Sequence, residues 1–248
     1  MTTLVLLPGF DGTGLLLAGF ATAFGPDVEI AVISYPTDKP LGYAGLESIA
    51  RRHLPSNRPF FLLGESFSGP IAVSIAASRP PGLLGVILCC SFARNPMPHL
   101  AAARPLVRFF PFGVVPVSWF SPLLLGRFSS PALHSTLAGA VASVVPAVLR
   151  ERARAALTAD VSALLSRIEV PILYLRASED RVVSKSASDL IASQVPDTRV
   201  VDFTAPHLLL QVVPAAAASA VSAFMRLVTS GPGLAANAQR VDQTTDRV

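Results

Sequence analysis

A chain of 248 residues, 51% hydrophobic and 15% charged, has material for one sizeable core and lies far from the disordered class. Its formal charge of +4 is scattered, without a long Lys/Arg run or aromatic interleaving, which argues against a nucleic-acid surface. No apolar stretch reaches the roughly 20 residues that a membrane-spanning helix needs.

Short β-rich apolar runs alternate with Ala-rich, helix-compatible stretches, the pattern of βα units around a mostly parallel sheet with helices on both faces. Strands are predicted over Thr3–Leu7, Val28–Ser34, Pro59–Leu63, Leu84–Cys90, Val170–Arg176 and Thr198–Phe203. Met1-Thr2-Thr3 leads directly into the first strand with no secretory pattern, so the expected location is cytoplasmic.

The first strand empties into Leu7-Pro8-Gly9-Phe10-Asp11-Gly12-Thr13-Gly14. This glycine-rich loop lacks the Gly-Lys-Ser/Thr ending of a phosphate-binding loop and the spacing of the dinucleotide fingerprint, which disfavours a nucleotide. The third strand runs into Gly64-Glu65-Ser66-Phe67-Ser68-Gly69 and then a small-residue stretch, Pro70 to Ala77. Strand, sharp turn and helix in that order form a nucleophile elbow, which holds Ser66 above the sheet and needs small residues two before and two after it. Gly64 and Ser68 take those places, and Ser68, where glycine is usual, is expected to crowd the turn slightly.

Adjacent Cys89 and Cys90 do not easily bridge to each other and read as two buried thiols. The stretch after the fourth strand is too long for a simple crossover, and residues 93–165 are assigned to an inserted helical cap. Within it, Phe109, Phe110, Phe112, Trp119 and Phe120 are punctuated by Pro105, Pro111, Pro116 and Pro122, a pattern of short helices folded over one another. Those aromatic residues fit an apolar substrate pocket and the core of the cap equally well. The α/β core is expected over residues 1–92 and 166–230, and a flexible tail over 231–248.

A serine hydroxyl is a weak nucleophile and needs a base, itself oriented by an acid. His207 follows the last predicted strand and is the leading base. His53 reads as a solvated helix residue, and His99 and His134 fall in the insert, where structural roles are favoured and lining the pocket mouth is the alternative for His99. The acid is assigned to Asp180, in a loop after the fifth strand, with Glu179 as the alternative next door. An Asp in such a loop is more often a turn former, but the order Ser66, Asp180, His207 is the chain order of α/β hydrolases. The oxyanion hole is assigned to the amides of Phe67, directly after the serine, and Phe10, in the glycine-rich loop.

On these residues the sequence resembles the α/β-hydrolase superfamily from Leu4 to about Thr229. In its Leu7–Gly14 and Gly64–Phe67 segments it is similar to compact bacterial carboxylesterases and lipid acyltransferase-like hydrolases. The resemblance implies Ser66 as nucleophile, His207 as base, Asp180 as orienting acid, Phe10 and Phe67 as amide donors, and no metal or organic cofactor. Pro206, before the histidine, departs from the small residue common there.

The expected activity is hydrolysis of short- to medium-chain carboxylic esters through an acyl-enzyme. Acyl transfer to an alcohol, and a non-catalytic ligand-binding module, are the competing readings. The expected partner is a small-molecule ester, and assembly into a homo-oligomer is left open.

Overall fold

The computed structural model describes residues 2–56 and 58–230; the assigned tail, 231–248, lies outside the described residues. Six strands, β1 (Thr2–Leu7), β2 (Val28–Val32), β3 (Phe60–Glu65), β4 (Leu83–Cys89), β5 (Ile172–Ala177) and β6 (Thr198–Phe203), form one sheet. Their order is β2-β1-β3-β4-β5-β6, and every neighbouring pair is parallel. The expected sheet was mostly parallel; the described one is wholly so. Predicted strand ends differ by one or two residues, as where β3 runs on to Glu65 and β5 begins at Ile172.

Strand alternation divides the core in two. Val5, Leu7, Leu62, Val86, Leu88 and Tyr174 face one layer, which the helices Tyr43–Arg52, Gly69–Ala77 and Lys185–Gln194 cover with Leu46, Ile71 and Ile191. Leu4, Leu6, Phe61, Leu63, Ile87 and Leu173 face the other, closed by Phe20 and by Val221 and Phe224 of the helix Pro214–Ser230. Both faces are thus dry, as an all-parallel sheet requires.

From β1 the chain crosses to β2 on one side and then returns to β3 on the other. The connections leaving the carboxyl ends of β1 and β3 therefore run to opposite sides, a topological switch point of the kind where open α/β sheets bind ligands. The glycine-rich loop and the serine turn both leave from those two ends.

Between β4 and β5 the chain makes an excursion through helices Pro98–Phe109, Val117–Trp119, Ser121–Leu124, Gly126–Phe128, Pro131–Ala142 and Pro146–Thr158. It leaves and returns at one narrow neck, where Arg94 and Asp160 pair antiparallel. There the Asn95 amide donates to the Ala159 carbonyl and the Val161 amide to the Ala93 carbonyl, both at 2.7 Å. Leu125, Leu137 and Ala140 of the excursion pack on Leu16 and Leu208 of the core.

No single described helix is long and apolar enough to cross a membrane. Pro131–Ala142 and Pro146–Thr158 reach that length only together, across a 100° bend.

Candidate active site

Ser66 sits at the tip of β3 with φ 46°, the left-handed region that a non-glycine residue enters only when its surroundings hold it there. A Cβ on Gly64 would lie 2.9 Å from the Ala72 Cβ and 3.0 Å from the Ser68 carbonyl oxygen, so strand and helix meet too closely for any side chain. The turn is also tied from β4: the Ser91 hydroxyl donates to the Ser66 carbonyl at 2.6 Å, and Tyr174 donates to the Ser91 carbonyl at 2.6 Å. A Cβ on Gly69 would fall 1.7 Å from the Ser91 Oγ, so Gly69 makes room for that tie.

Ser68 does not crowd the elbow. Its buried hydroxyl donates to the Pro8 carbonyl at 2.5 Å and lies 2.9 Å from the Tyr35 hydroxyl, pinning the serine turn to the glycine-rich loop. Ser68→Gly is therefore expected to lower stability by about 2 kcal/mol without raising activity. Thermal unfolding checks this, and an unchanged midpoint contradicts it.

Ser66 Oγ lies 2.8 Å from His207 Nε2, and His207 Nδ1 lies 2.8 Å from Asp180 Oδ2. The other Asp180 oxygen accepts the amides of Val182 at 2.7 Å and Val183 at 2.9 Å, so the loop holds the carboxylate in register. Glu179, the neighbouring candidate, points away and pairs with Arg127 at 2.6 Å. That exposed guanidinium, through hydrogen bonding and charge, lowers the Glu179 pKa. His207 stands in a loop before the short helix Leu209–Val212, and the last helix begins only at Pro214 rather than at His207.

The remaining histidines lie elsewhere. His53 Nδ1 is 2.9 Å from the Ile49 carbonyl oxygen at a helix end, His134 Nε2 is 2.8 Å from the Ser121 hydroxyl within the insert, and His99 is exposed on it.

Cys89 and Cys90 are buried free thiols. Cys90, Asp180 and His207 offer donor atoms within 4.8 Å of one another. The His207–Asp180 hydrogen bond already engages two of those three groups, and burial pushes the Cys90 thiol pKa up, away from the thiolate a metal prefers.

Phe10 and Phe67, the two residues assigned as amide donors, meet through their side chains, edge to face with ring centroids 6.0 Å apart. The Phe10 loop is clamped by two buried side chains, Glu65 and Arg152, that sequence reasoning missed. On one side the Gly9 amide donates to Glu65 Oε2 at 3.1 Å, while Gln211 Nε2 donates to Glu65 Oε1 at 2.8 Å. On the other, fully buried Arg152 donates to the carbonyls of Phe10 at 3.1 Å, Asp11 at 2.5 Å and Pro36 at 3.0 Å. A Cβ on Gly12, whose φ is +70°, would lie 2.5 Å from Arg152 Nη1, so this glycine admits the guanidinium. No local motif marks either residue.

Burial pushes the Glu65 carboxyl up to about 7; hydrogen bonds from Gln211 and Gly9 and the nearby His207 pull it back, while Asp11 adds to the rise. Against its ordinary value of 4.5, the folded protein holds a proton that the unfolded chain has released. This contribution to stability is complete below pH 4.5 and is lost as pH rises through about 7. Across that window, denaturant unfolding should show a loss on the order of 3 kcal/mol from this group. Glu65→Gln, with the unpartnered Gln211 Oε1 free to accept, should remove that part of the decline.

The fold is shared with solved α/β hydrolases. The enol-lactonase from Burkholderia xenovorans superposes with a TM-score of 0.79 at 16% identity, covering 90% of this chain and 91% of that one. A thermophilic esterase from Thermogutta terrifontis gives a TM-score of 0.77 at 20% identity, covering 92% and 89%.

The sequence profile described as "Serine aminopeptidase, S33" matches residues 44–209, and the chain belongs to that family of the α/β-hydrolase superfamily. The match runs from before β3 to just past His207 and takes in Ser66 and Asp180. The chain is also 32% identical over 114 residues to phytyl ester synthase 1, chloroplastic, of Arabidopsis thaliana. That likeness covers 42% of this chain and only 16% of the length of the plant protein.

Proposed function

We propose that this hydrolase cleaves carboxylic esters, of short to medium acyl chain, through an acyl-enzyme on Ser66. The observation that carries the reading is the unbroken hydrogen-bonded line Ser66 Oγ, His207 Nε2, His207 Nδ1, Asp180 Oδ2, with both steps at 2.8 Å. In the first step Ser66 Oγ bonds to the ester carbonyl carbon as His207 takes its proton. The Phe10 and Phe67 amides receive the oxyanion. Collapse breaks the bond to the alcohol oxygen, which leaves with the His207 proton. Water then repeats the sequence, giving the acid and free Ser66. Asp180 keeps the imidazole in one tautomer throughout, and no step calls on a metal or cofactor.

In this reading residues 93–165 act as the cap. Phe120, Phe110 and Phe112 form a run of neighbouring rings that continues to Phe10, with centroids 6.2, 4.6 and 6.3 Å apart, an apolar lining suited to an acyl or alkyl chain. No Asp or Glu occurs between Glu65 and Glu151, so the larger part of the cap offers no carboxylate to a peptide's terminal ammonium. This favours an ester over an aminoacyl substrate.

A fluorophosphonate should label the protein at Ser66, located by peptide mapping, and p-nitrophenyl esters should be cleaved faster than aminoacyl anilides. Failure to label, or a preference for the anilides, overturns the proposal. The likeness to phytyl ester synthase favours a second reading, transfer of the acyl group to a long-chain alcohol. Adding such an alcohol to the ester assay separates the two: alkyl ester forming at the expense of free acid indicates transfer.

A further inference from the structure

Among the described residues, the outward side of the insert carries large apolar side chains left exposed. The helix Pro98–Phe109 is a 3-10 helix, and at three residues per turn Leu100, Leu106 and Phe109 fall one above another on a single face. That face looks outward: Leu106 is 64% exposed and Phe109 69%. Trp119 is 75% exposed and precedes Phe120, whose ring packs 6.2 Å from that of Phe110, the residue after Phe109, so the two exposed aromatics lie on neighbouring segments of the insert.

The charge around the stripe is of one sign. Arg104 and Arg108 are exposed, neither forms an ion pair among the described residues, and the Arg108 guanidinium lies 4.5 Å from the Phe109 ring centre. With no acidic residue between Glu65 and Glu151, nothing on this stretch of chain offsets them. Tryptophan, phenylalanine and leucine set among free arginines are the side chains that settle at the boundary between lipid headgroups and acyl chains. A second copy of this chain docking the same patch across a two-fold axis would set arginines against arginines.

We propose that the stripe Leu106, Phe109 and Trp119, with Arg104 and Arg108, is a docking face for an anionic phospholipid surface. The aromatic side chains enter the interface and the guanidinium groups meet lipid phosphates. The surface backs onto Phe110 and Phe120, the outer rings of the run that leads to Phe10, so a chain leaving the lipid would pass toward Ser66 along an apolar route. Docking itself needs no chemistry at Ser66, so its test is independent of the proposed activity.

Trp119 is the sole tryptophan and reports directly on the event. The full chain carrying Ser66→Ala, which turns nothing over, is titrated with vesicles of phosphatidylcholine alone and of phosphatidylcholine mixed with phosphatidylglycerol. The expected result is a blue shift of Trp119 emission, quenching by brominated acyl chains, and co-sedimentation with the mixed vesicles that weakens as salt is raised. Arg104→Gln with Arg108→Gln should weaken partitioning roughly thirtyfold. Leu106→Glu with Phe109→Glu should abolish it, while both variants keep the parent's thermal midpoint, since these side chains are exposed.

Three outcomes overturn the proposal: no spectral shift with mixed vesicles, equal and salt-independent binding to phosphatidylcholine alone, or a shift that follows protein concentration without lipid. The last would assign the stripe to self-association.

Discussion

Ser66→Ala is expected to lower kcat for a p-nitrophenyl ester by about a millionfold, and His207→Ala by a similar factor. The double variant should lose little more, because the two act as one unit through the 2.8 Å Oγ–Nε2 contact. Folding should survive both changes, since the turn is held by Gly64, Gly69, Ser68 and Ser91 rather than by the Ser66 hydroxyl. Asp180→Asn should cost about ten-thousandfold, because an amide nitrogen facing Nδ1 favours the wrong imidazole tautomer. Glu179→Gln should change kcat only a few-fold, since its partner is Arg127. A reversed ranking of the last two would move the acid to Glu179. Steady-state kinetics on purified variants of equal thermal midpoint decide all five.

Arg152→Met should act on stability and rate together. The methionine leaves the carbonyls of Phe10, Asp11 and Pro36 without the charged donor that reaches them from the buried side chain. Such a loss costs about 3 to 5 kcal/mol, or a thermal midpoint lower by roughly 10 °C. Since two of the three carbonyls belong to the loop carrying the Phe10 amide, kcat should also fall, by up to about a hundredfold, with KM little changed. Arg152→Lys should recover part of the midpoint but less of the rate, because an ammonium does not reproduce the guanidinium fork. Equal loss in kcat and KM, or loss of stability alone, would reduce Arg152 to a packing role.

The parts of the site legible in the sequence are those whose chemistry is written in local pattern. Alternating apolar runs marked the strands, and Gly64-Glu65-Ser66 after a strand marked the turn. The order Ser66, Asp180, His207 supplied partners that the fold then sets 2.8 Å apart. Arg152 was illegible because it binds backbone carbonyls more than a hundred residues away, and a carbonyl has no sequence. Glu65 and Gln211 escaped for a related reason: each reads as an ordinary polar residue until the fold places them 2.8 Å apart under the Gly9 amide. Ser68 shows the opposite limit. Size suggested a slight misfit, but its hydroxyl has two partners that only the tertiary structure supplies.

The pairing of Arg94 with Asp160 closes the excursion between β4 and β5 at its base, the geometry that exchange of the insert as a unit requires. Its two ends are stapled side by side, and the register of Val86 with Ile172 through Cys89 with Leu175 is set without it. A graft cut at this neck would exchange the excursion while leaving the sheet and the line Ser66, His207, Asp180 in place. Such a graft would have to carry along Arg152, which braces the Phe10 loop from within the excursion, and the apolar seam of Leu125, Leu137 and Ala140 on Leu16 and Leu208.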